Sequence, residues 1–400
     1  MSDFCRLLTG TLAEIQQTGL LRHVREVHSP QGRHITVQGR ELVNFSSNDY
    51  LGLANHPALK EAAIRAVDRY GAGAGASRLI CGSLKPFHDL EEALAAFKGT
   101  EACLTFSTGY ATALGVITAL LGKDDLLVID RLSHACIVDA ARLCGARLRV
   151  FKHNDVADLE RILKWAKGQD RKTGAKRRNT LIVTESVFSM DGDLAPLKQM
   201  VELKERNGAW FMVDEAHATG LFGKHRGGLI EEAGVSDRVE IQMGTLGKAV
   251  GASGGYVCGS RKLIDLLINK ARGFVFSTAP VPAAAAAAKA GIELIQSDEG
   301  GIRREQVWKN AHFTEHRFGV SNLEICAPDS AILPIMIGDE KAAVHASTAL
   351  QEKGFFIPAV RFPTVGRGKA RLRMTVTADH DAEQLNALAI ALRETLHTGA

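Results

Sequence analysis

An acidic residue, a histidine and a lysine in this sequence have the spacing of a cofactor-binding site. Asp214 follows the apolar stretch Ala209 to Val213, which predicts a carboxylate at the end of a buried strand, and His217 comes three residues later. Lys248 lies in the glycine-containing turn T-L-G-K, where its amine could form a Schiff base with an aldehyde. Pyridoxal 5′-phosphate (PLP) needs such a lysine, a carboxylate that keeps its ring nitrogen protonated, and a group at its ring oxygen. We therefore predict that Lys248, Asp214 and His217 form a PLP site.

Three other functional interpretations of the sequence are weaker. The segment D-E-A-H is also a magnesium motif of nucleic-acid-dependent ATPases, but the phosphate loop G-x-x-x-x-G-K-[ST] that they require is absent. The run G-A-G-A-G-A at 71–76 departs from the dinucleotide fingerprint G-x-G-x-x-G and follows a predicted helix, which argues against a dehydrogenase. A catalytically inert subunit of the same fold would be expected to lack Lys248.

A second segment predicts where the cofactor phosphate binds. Residues 105–110, T-F-S-T-G-Y, place hydroxyl and glycine residues where a predicted strand turns into a helix. Backbone N–H groups at the start of a helix attract anions, so we expect Gly109 and Tyr110 to contact the phosphate.

More polar residues follow other predicted strands. His134 comes just after one strand and could stack on a planar cofactor, Ser189 follows another, and Thr245 precedes the lysine turn. Because open α/β sheets bind ligands at the carboxyl edge of their strands, we expect these side chains to meet there.

An amino-acid substrate would bring a carboxylate, for which an arginine is the fitting partner. Arg371 and Arg373 alternate along a predicted strand and would share one face. We predict that Arg373 binds the substrate carboxylate; the alternative is that these arginines form structural ion pairs.

The composition excludes several classes of protein. The chain has 400 residues, of which 46% are hydrophobic, but no apolar run approaches the roughly 20 residues of a transmembrane helix. The N-terminal M-S-D-F-C-R lacks an apolar signal core, so we predict a cytoplasmic protein.

Seven scattered cysteines without a C-x-x-C pair argue against disulfides and a structural zinc site, and we predict no metal. A net charge of +4 and few aromatic residues give no indication of a nucleic-acid partner.

One basic run extends from Lys164 to Asn179. We favour a solvated linker; the alternative is a docking patch for the phosphates of CoA or for an acyl carrier protein.

The pattern of short apolar segments and helices predicts the fold. Across residues 46–290 these segments alternate, which predicts a mostly parallel central sheet covered by helices. Residues 1–45 predict an amphipathic helix to about residue 28 and then a hairpin with Gly39 in its turn. Residues 291–400 predict a smaller α+β domain.

Six segments taken together resemble those of the α-oxoamine synthases, fold-type I PLP enzymes that condense an amino acid with an acyl thioester and release CO2. These segments are N-F-S-S-N-D-Y-L-G-L (44–53), G-A-G-A-S-R-L-I-C-G (73–82), D-R-L-S-H-A (130–135), E-S-V-F-S-M-D-G-D (185–193), V-D-E-A-H-A-T-G (213–220) and T-L-G-K (245–248). The resemblance implies a homodimer with shared active sites, in which Ser277 and Thr278 reach the phosphate of the neighbouring subunit's cofactor. It also implies that Asn48 and Ser186 lie near the substrate.

The two halves of the substrate pair vary among members of this family. The position of Arg22 after the N-terminal helix, and the segment 362–375 with Thr364, resemble members that join L-alanine to a pimeloyl thioester in biotin biosynthesis. The segment departs from their pattern at Phe362, Gly366 and Lys369, on the loop expected to meet the acyl chain. Members that use glycine or serine, with acetyl, succinyl or palmitoyl groups, are the alternatives.

Overall fold

The computed structural model describes residues 2–173, 179–320 and 329–397. The chain divides into two compact units. The large unit comprises Asn48–Ser189 and Asp193–Glu305, and the small unit comprises residues up to Ser47, Met190–Gly192 and residues from Gln306 onward. These units differ from the sequence-based division because the N-terminal segment clusters with the C-terminal one. Residues 174–178 of the basic run and Cys326 lie outside the described residues.

The strands, in chain order, are β1 (His34–Val37), β2 (Arg40–Asn44), β3 (Ala102–Phe106), β4 (Leu126–Asp130), β5 (Arg147–Phe151), β6 (Thr180–Glu185), β7 (Trp210–Asp214), β8 (Ile241–Thr245), β9 (Gly255–Gly259), β10 (Ile332–Gly338), β11 (Phe355–Phe356), β12 (Ala359–Val360) and β13 (Ala370–Thr375). The helices are α1 (Asp3–Gln17), α2 (Pro57–Tyr70), α3 (Lys85–Lys98), α4 (Gly109–Leu120), α5 (Ala135–Leu143), α6 (Val156–Thr173), α7 (Leu197–Asn207), α8 (Leu229–Glu232), α9 (Arg261–Lys270), α10 (Arg272–Val275), α11 (Pro282–Gln296), α12 (Asp298–Val320), α13 (Glu340–Glu352) and α14 (Ala382–His397).

A seven-stranded sheet forms the centre of the large unit, in the order β3-β9-β8-β7-β6-β4-β5. Strand β9 runs antiparallel to both of its neighbours, and every other neighbouring pair is parallel. Nearly every residue of β4, β6 and β7 is buried, as expected for strands covered on both faces. Alternate side chains such as Leu127 and Val183 pack in one apolar core with residues of α4, α5 and α9. The predicted fold class is confirmed.

The small unit contains two three-stranded sheets, β1-β2-β11 and β10-β13-β12. Strands β1 and β2 form the predicted hairpin, and Gln38 and Gly39 in its turn both have positive φ, at 50° and 76°. Two consecutive positive φ values give the turn the twist that a two-residue hairpin needs.

The N-terminal helix is shorter than predicted. It ends at Gln17 rather than near residue 28, because Gly19 adopts the left-handed conformation with φ of 68°. The N–H groups of Gly19 and Leu20 then donate to the carbonyls of Gln16 and Ile15, which closes the helix end. Across the three described ranges, no helix has the length and apolar character needed to cross a membrane.

Candidate active site

The carboxyl ends of two central strands place two acidic residues side by side. Asp214 is the last residue of β7, and its register partner on β6 is Glu185. Both side chains are buried, with 6% and 3% of their surface exposed. Ser186, one residue beyond, donates from its backbone N–H (2.8 Å) and its hydroxyl (3.1 Å) to the Asp214 carbonyl. Ser186 therefore fixes the backbone of Asp214 through two hydrogen bonds to the same carbonyl oxygen.

Burial controls the charge of both carboxyl groups. It raises the pKa of Asp214, although the nearby Lys248 and the N–H of Ala216, 2.9 Å from Oδ1, act in the opposite direction. Burial and the negative charge of Asp214 raise the pKa of Glu185 to about 8. One oxygen of Glu185 is buried and makes no hydrogen bond within the described part of the chain. A cation placed here would therefore be strongly favoured.

Lys248 and His217 are in direct contact in the large unit. The Nζ atom of Lys248 lies 2.7 Å from Nε2 of His217, whose Nδ1 lies 2.6 Å from the hydroxyl of Tyr50. The Tyr50 hydroxyl also donates to Oδ1 of Asn48 at 3.3 Å. Lys248, His217 and Asn48 were predicted site residues, whereas Tyr50 was not, although it lies in the segment N-D-Y-L-G-L.

His134 begins the helix that follows β4. It is the N-cap of α5, where its Nδ1 accepts the N–H of Cys136 at 3.2 Å. Partial burial lowers the pKa of the His134 ring, and this effect outweighs that of Asp214, which raises it. Its ring is thus disposed to be neutral, and its electrostatic coupling to Asp214 and Lys248 puts it in the same site.

The start of α4 has the features of an anion-binding site. Thr108 caps the helix by accepting the N–H of Ala111 at 3.0 Å, and the helix begins at Gly109. A Cβ atom on Gly109 would lie 3.6 Å from Cβ of Thr245, so the end of β8 packs against this helix start. The Tyr110 hydroxyl donates to Asp139 at 2.5 Å.

Three further predicted residues lie in the large unit, and one of them, Ser189, is hydrogen-bonded through its backbone to the carboxyl group of Glu185. Ser189 is half-buried in the loop after β6. Ser277 and Thr278 are exposed after α10, and Thr278 makes a β-bridge with Ser77.

The small unit holds the remaining substrate candidates. Arg22 donates from Nη2 to the hydroxyl of Thr364 at 3.3 Å, which brings two residues 342 positions apart into contact. Arg371 forms an ion pair with Asp191 at 2.5 Å, so the structural interpretation holds for this arginine. Arg373 is buried, with 8% of its surface exposed.

Comparison with known families agrees with this arrangement. The family model described as aminotransferase class I and II matches residues 40–392.

Individual relatives cover almost the whole chain. The 8-amino-7-oxononanoate synthase of Geobacter sulfurreducens is 44% identical over 387 residues, which are 97% of each chain. The enzyme of the same name from Symbiobacterium thermophilum is 43% identical over 96% of this chain and 95% of its own. A solved structure of a serine palmitoyltransferase variant from S. paucimobilis, with a bound PLP–myriocin aldimine, aligns with a TM-score of 0.91 at 27% identity. That alignment covers 100% of this chain and 99% of the other.

Proposed function

Because this chain belongs to the aminotransferase class I and II family, and within it to the α-oxoamine synthases, we propose that it is an 8-amino-7-oxononanoate synthase. It would condense L-alanine with a pimeloyl thioester, on CoA or an acyl carrier protein, and release CO2 and the free thiol in biotin biosynthesis. The observation that carries the proposal is the Lys248–His217 contact beside buried Asp214, in a chain 44% identical to a relative of that name.

The residues present fit PLP, the cofactor of this family. A protonated ring nitrogen would supply the cation that the two buried carboxyl groups favour. Asp214 is the better match, because Lys248 and the N–H of Ala216 lower its pKa, whereas the charge of Asp214 raises that of Glu185. The start of α4 at Gly109 and Tyr110 offers backbone N–H groups to the phosphate, with Thr245 packed against it. We assign His217 to the ring oxygen and His134 to the face of the ring, with Ser189 as a further cofactor contact.

Bound PLP supplies an aldehyde for an amine and a pyridinium ring that accepts an electron pair. Lys248 would present its Nζ as that amine, and its free Nζ would take the proton from the α-carbon of alanine. Asp214 would keep the ring nitrogen protonated. His217 orients Lys248 through the 2.7 Å contact.

The carboxylate of alanine needs a cationic partner, and we assign it to Arg373, with Asn48 and Ser186 near the amino acid. Arg371 forms an ion pair with Asp191 and is not assigned this role. We assign the far carboxylate of the pimeloyl chain to Arg22, with Thr364 holding the guanidinium.

The assembly that we propose is a homodimer in the cytoplasm. In it, Ser277 and Thr278 of each subunit would contact the phosphate bound by the other. The exposure of both residues supports this role, because they are available to a second copy of the chain.

The alternative is another α-oxoamine synthase: glycine C-acetyltransferase, 5-aminolevulinate synthase or serine palmitoyltransferase. The TM-score of 0.91 with a serine palmitoyltransferase favours keeping this alternative in the test. Phe362, Gly366 and Lys369, on the loop assigned to the acyl chain, are the residues that would account for a different acyl group.

The test is thiol release by the PLP-loaded protein with alanine, glycine or serine, each paired with pimeloyl-, acetyl-, succinyl- or palmitoyl-CoA. Turnover confined to alanine with pimeloyl-CoA is expected. Turnover only with another pair would reject the synthase proposal and select the alternative. Lys248→Ala is the matched inactive control, and it should lose turnover, whereas exchange of the exposed Lys123 to alanine should retain it. Full activity of Lys248→Ala would reject the assignment of the whole site.

A further inference from the structure

Tyr50 connects two predicted site residues that are far apart in the sequence. Its side chain is fully buried, with 0% of its surface exposed. The hydroxyl lies 2.6 Å from Nδ1 of His217 and 3.3 Å from Oδ1 of Asn48, while Nε2 of His217 lies 2.7 Å from Nζ of Lys248. Asn48, Tyr50, His217 and Lys248 therefore form one continuous line of hydrogen bonds.

Only a few arrangements of the protons give each hydrogen bond in this line one donor and one acceptor. An amide oxygen only accepts, an ammonium group only donates, and a neutral imidazole has one donor and one acceptor nitrogen. When Lys248 is protonated and donates to Nε2, Nδ1 carries the proton and donates to Tyr50, whose own proton goes to Asn48. When Nε2 carries the proton instead, Nδ1 accepts from the Tyr50 hydroxyl. A hydroxyl satisfies both tautomers of His217, and a hydrocarbon side chain would satisfy neither.

We propose that Tyr50 is a positioning residue that fixes the ring of His217 and keeps Nε2 directed at Lys248. It acts through His217 and touches neither substrate in this role. The inference deepens the proposed function because it concerns the lysine of that same site.

Other titratable groups also act on Lys248. Asp214 at the end of β7, Glu185 at the end of β6 and His134 at the start of α5 all couple to it electrostatically. Exchange of Tyr50 for phenylalanine leaves these three groups in place. A change in the titration of the site in that variant is therefore attributable to the line through His217.

The first test compares Tyr50→Phe with Tyr256→Phe in the PLP-loaded protein. Tyr256 is the matched control, because it is also fully buried and its hydroxyl lies 2.9 Å from that of Thr219. Tyr50→Phe should shift the pH dependence of the visible cofactor absorbance and lower kcat by about 10- to 100-fold, the cost of removing the hydrogen-bond partner of a buried polar atom, Nδ1 of His217. The KM for either substrate should change by less than about threefold, and Tyr256→Phe should leave the absorbance profile unchanged. Equal shifts in both variants would overturn the proposal.

The second test uses the coupling between the two residues. Tyr50→Phe is combined with His217→Ala, and PLP affinity is measured by equilibrium dialysis in the parent, the two single variants and the double variant. If Tyr50 acts through His217, it should weaken binding only when the histidine is present; an equal loss in both backgrounds would overturn the inference.

A third readout needs neither cofactor nor substrate. Selective 15N labelling of histidine in the PLP-free chain reports the tautomer and pH dependence of His217 directly. Tyr50→Phe should change this signal, and an unchanged signal would contradict the proposal. Because dialysis and NMR do not depend on the acyl donor, failure of the alanine–pimeloyl assay would reject the proposed function and leave this inference standing.

Discussion

Glu185 and Asp214 are register partners on neighbouring parallel strands, so two buried carboxyl groups lie side by side at one edge of the central sheet. Two carboxylates in that position repel each other, and burial penalises the charge on each. Lys248 offsets part of this cost for both. Without a neighbouring cation, ionisation of both carboxyl groups therefore destabilises the folded protein.

Glu185→Gln tests this destabilisation through the pH dependence of the free energy of unfolding. The folded pKa of Glu185, about 8, lies above its ordinary value of 4.5, so the folded chain binds more protons than the unfolded chain between these values. Its contribution to the free energy of unfolding must then fall as the pH rises from about 4.5 to about 8. In urea unfolding of the PLP-free protein, Glu185→Gln should flatten this decline. A matched variant at the exposed Glu92 should keep the parent slope; if Glu185→Gln keeps it too, the carboxyl pair is not the cause.

His153 gives a second pH-dependent contribution, at the ends of β4 and β5. Its Nδ1 lies 2.9 Å from Asp130 and its Nε2 lies 2.7 Å from Asp193. Burial alone would lower the pKa of His153, but the hydrogen bonds to the two carboxylates raise it to about 10.

For a histidine with a raised folded pKa, the stabilisation is complete below the unfolded pKa and is lost as the pH rises through the folded one. The window for His153 therefore runs from about 6.5 to about 10. His153→Gln should lower the free energy of unfolding by about 2 kcal/mol at pH 7, with little difference from the parent at pH 10. Thermal and urea unfolding at both values measure this, and a constant difference across the range would contradict it.

Gly255 bears on the phosphate site because the start of α4 lies against it. A Cβ atom at this position would come within 2.6 Å of the Gly109 nitrogen. Gly255→Ala should therefore displace the helix start and weaken PLP binding by at least about 10-fold in dialysis. Gly259→Ala is the matched control on the same strand, since its Cβ would meet the Glu240 carbonyl at 2.7 Å instead. Both variants should lose stability. Equal PLP affinities of the two variants would show that the cofactor phosphate does not bind at the start of α4.

Arg22 and Thr364 supply a prediction about the acyl donor. Arg22→Ala should raise the KM for pimeloyl-CoA by about 10-fold and leave kcat nearly unchanged, as expected for a contact made equally in ground and transition states. Thr364→Val removes only the hydroxyl 3.3 Å from the guanidinium and should have a smaller effect of the same kind. Steady-state kinetics with alanine saturating measure both, and unchanged kinetics of Arg22→Ala would exclude the contact.

Local sequence patterns were sufficient for most of the fold. The strand that ends at Asp214, the helix capped by Thr108 and the hairpin turn at Gly39 each carry their signal within a few residues. The end of α1 also had a local signal in Gly19, which the apolar spacing of the following leucines obscured.

The missed site residues lacked such a signal. Tyr50 meets His217 across 167 positions, and no periodicity in either segment reports that contact. The sequence predicts only that Glu185 is the polar residue at the end of a strand. Its pairing with Asp214 depends on the order of the strands in the sheet, which a single sequence does not determine. Likewise, the ion pair of Arg371 with Asp191 joins residues 180 positions apart, and no local pattern in the sequence predicts it.

The order of strands in the central sheet has a consequence for synthesis on the ribosome. Within the described part of the chain, β3 has β9 as its one sheet neighbour, although about 150 residues separate them in translation. A nascent chain that stops before Gly255–Gly259 has emerged must hold the apolar segment Ala102–Phe106 without a partner strand. During elongation this segment is therefore an exposed apolar strand edge that a chaperone could cover, and the helix start that follows it gains its contact with Gly255 only when β9 is inserted.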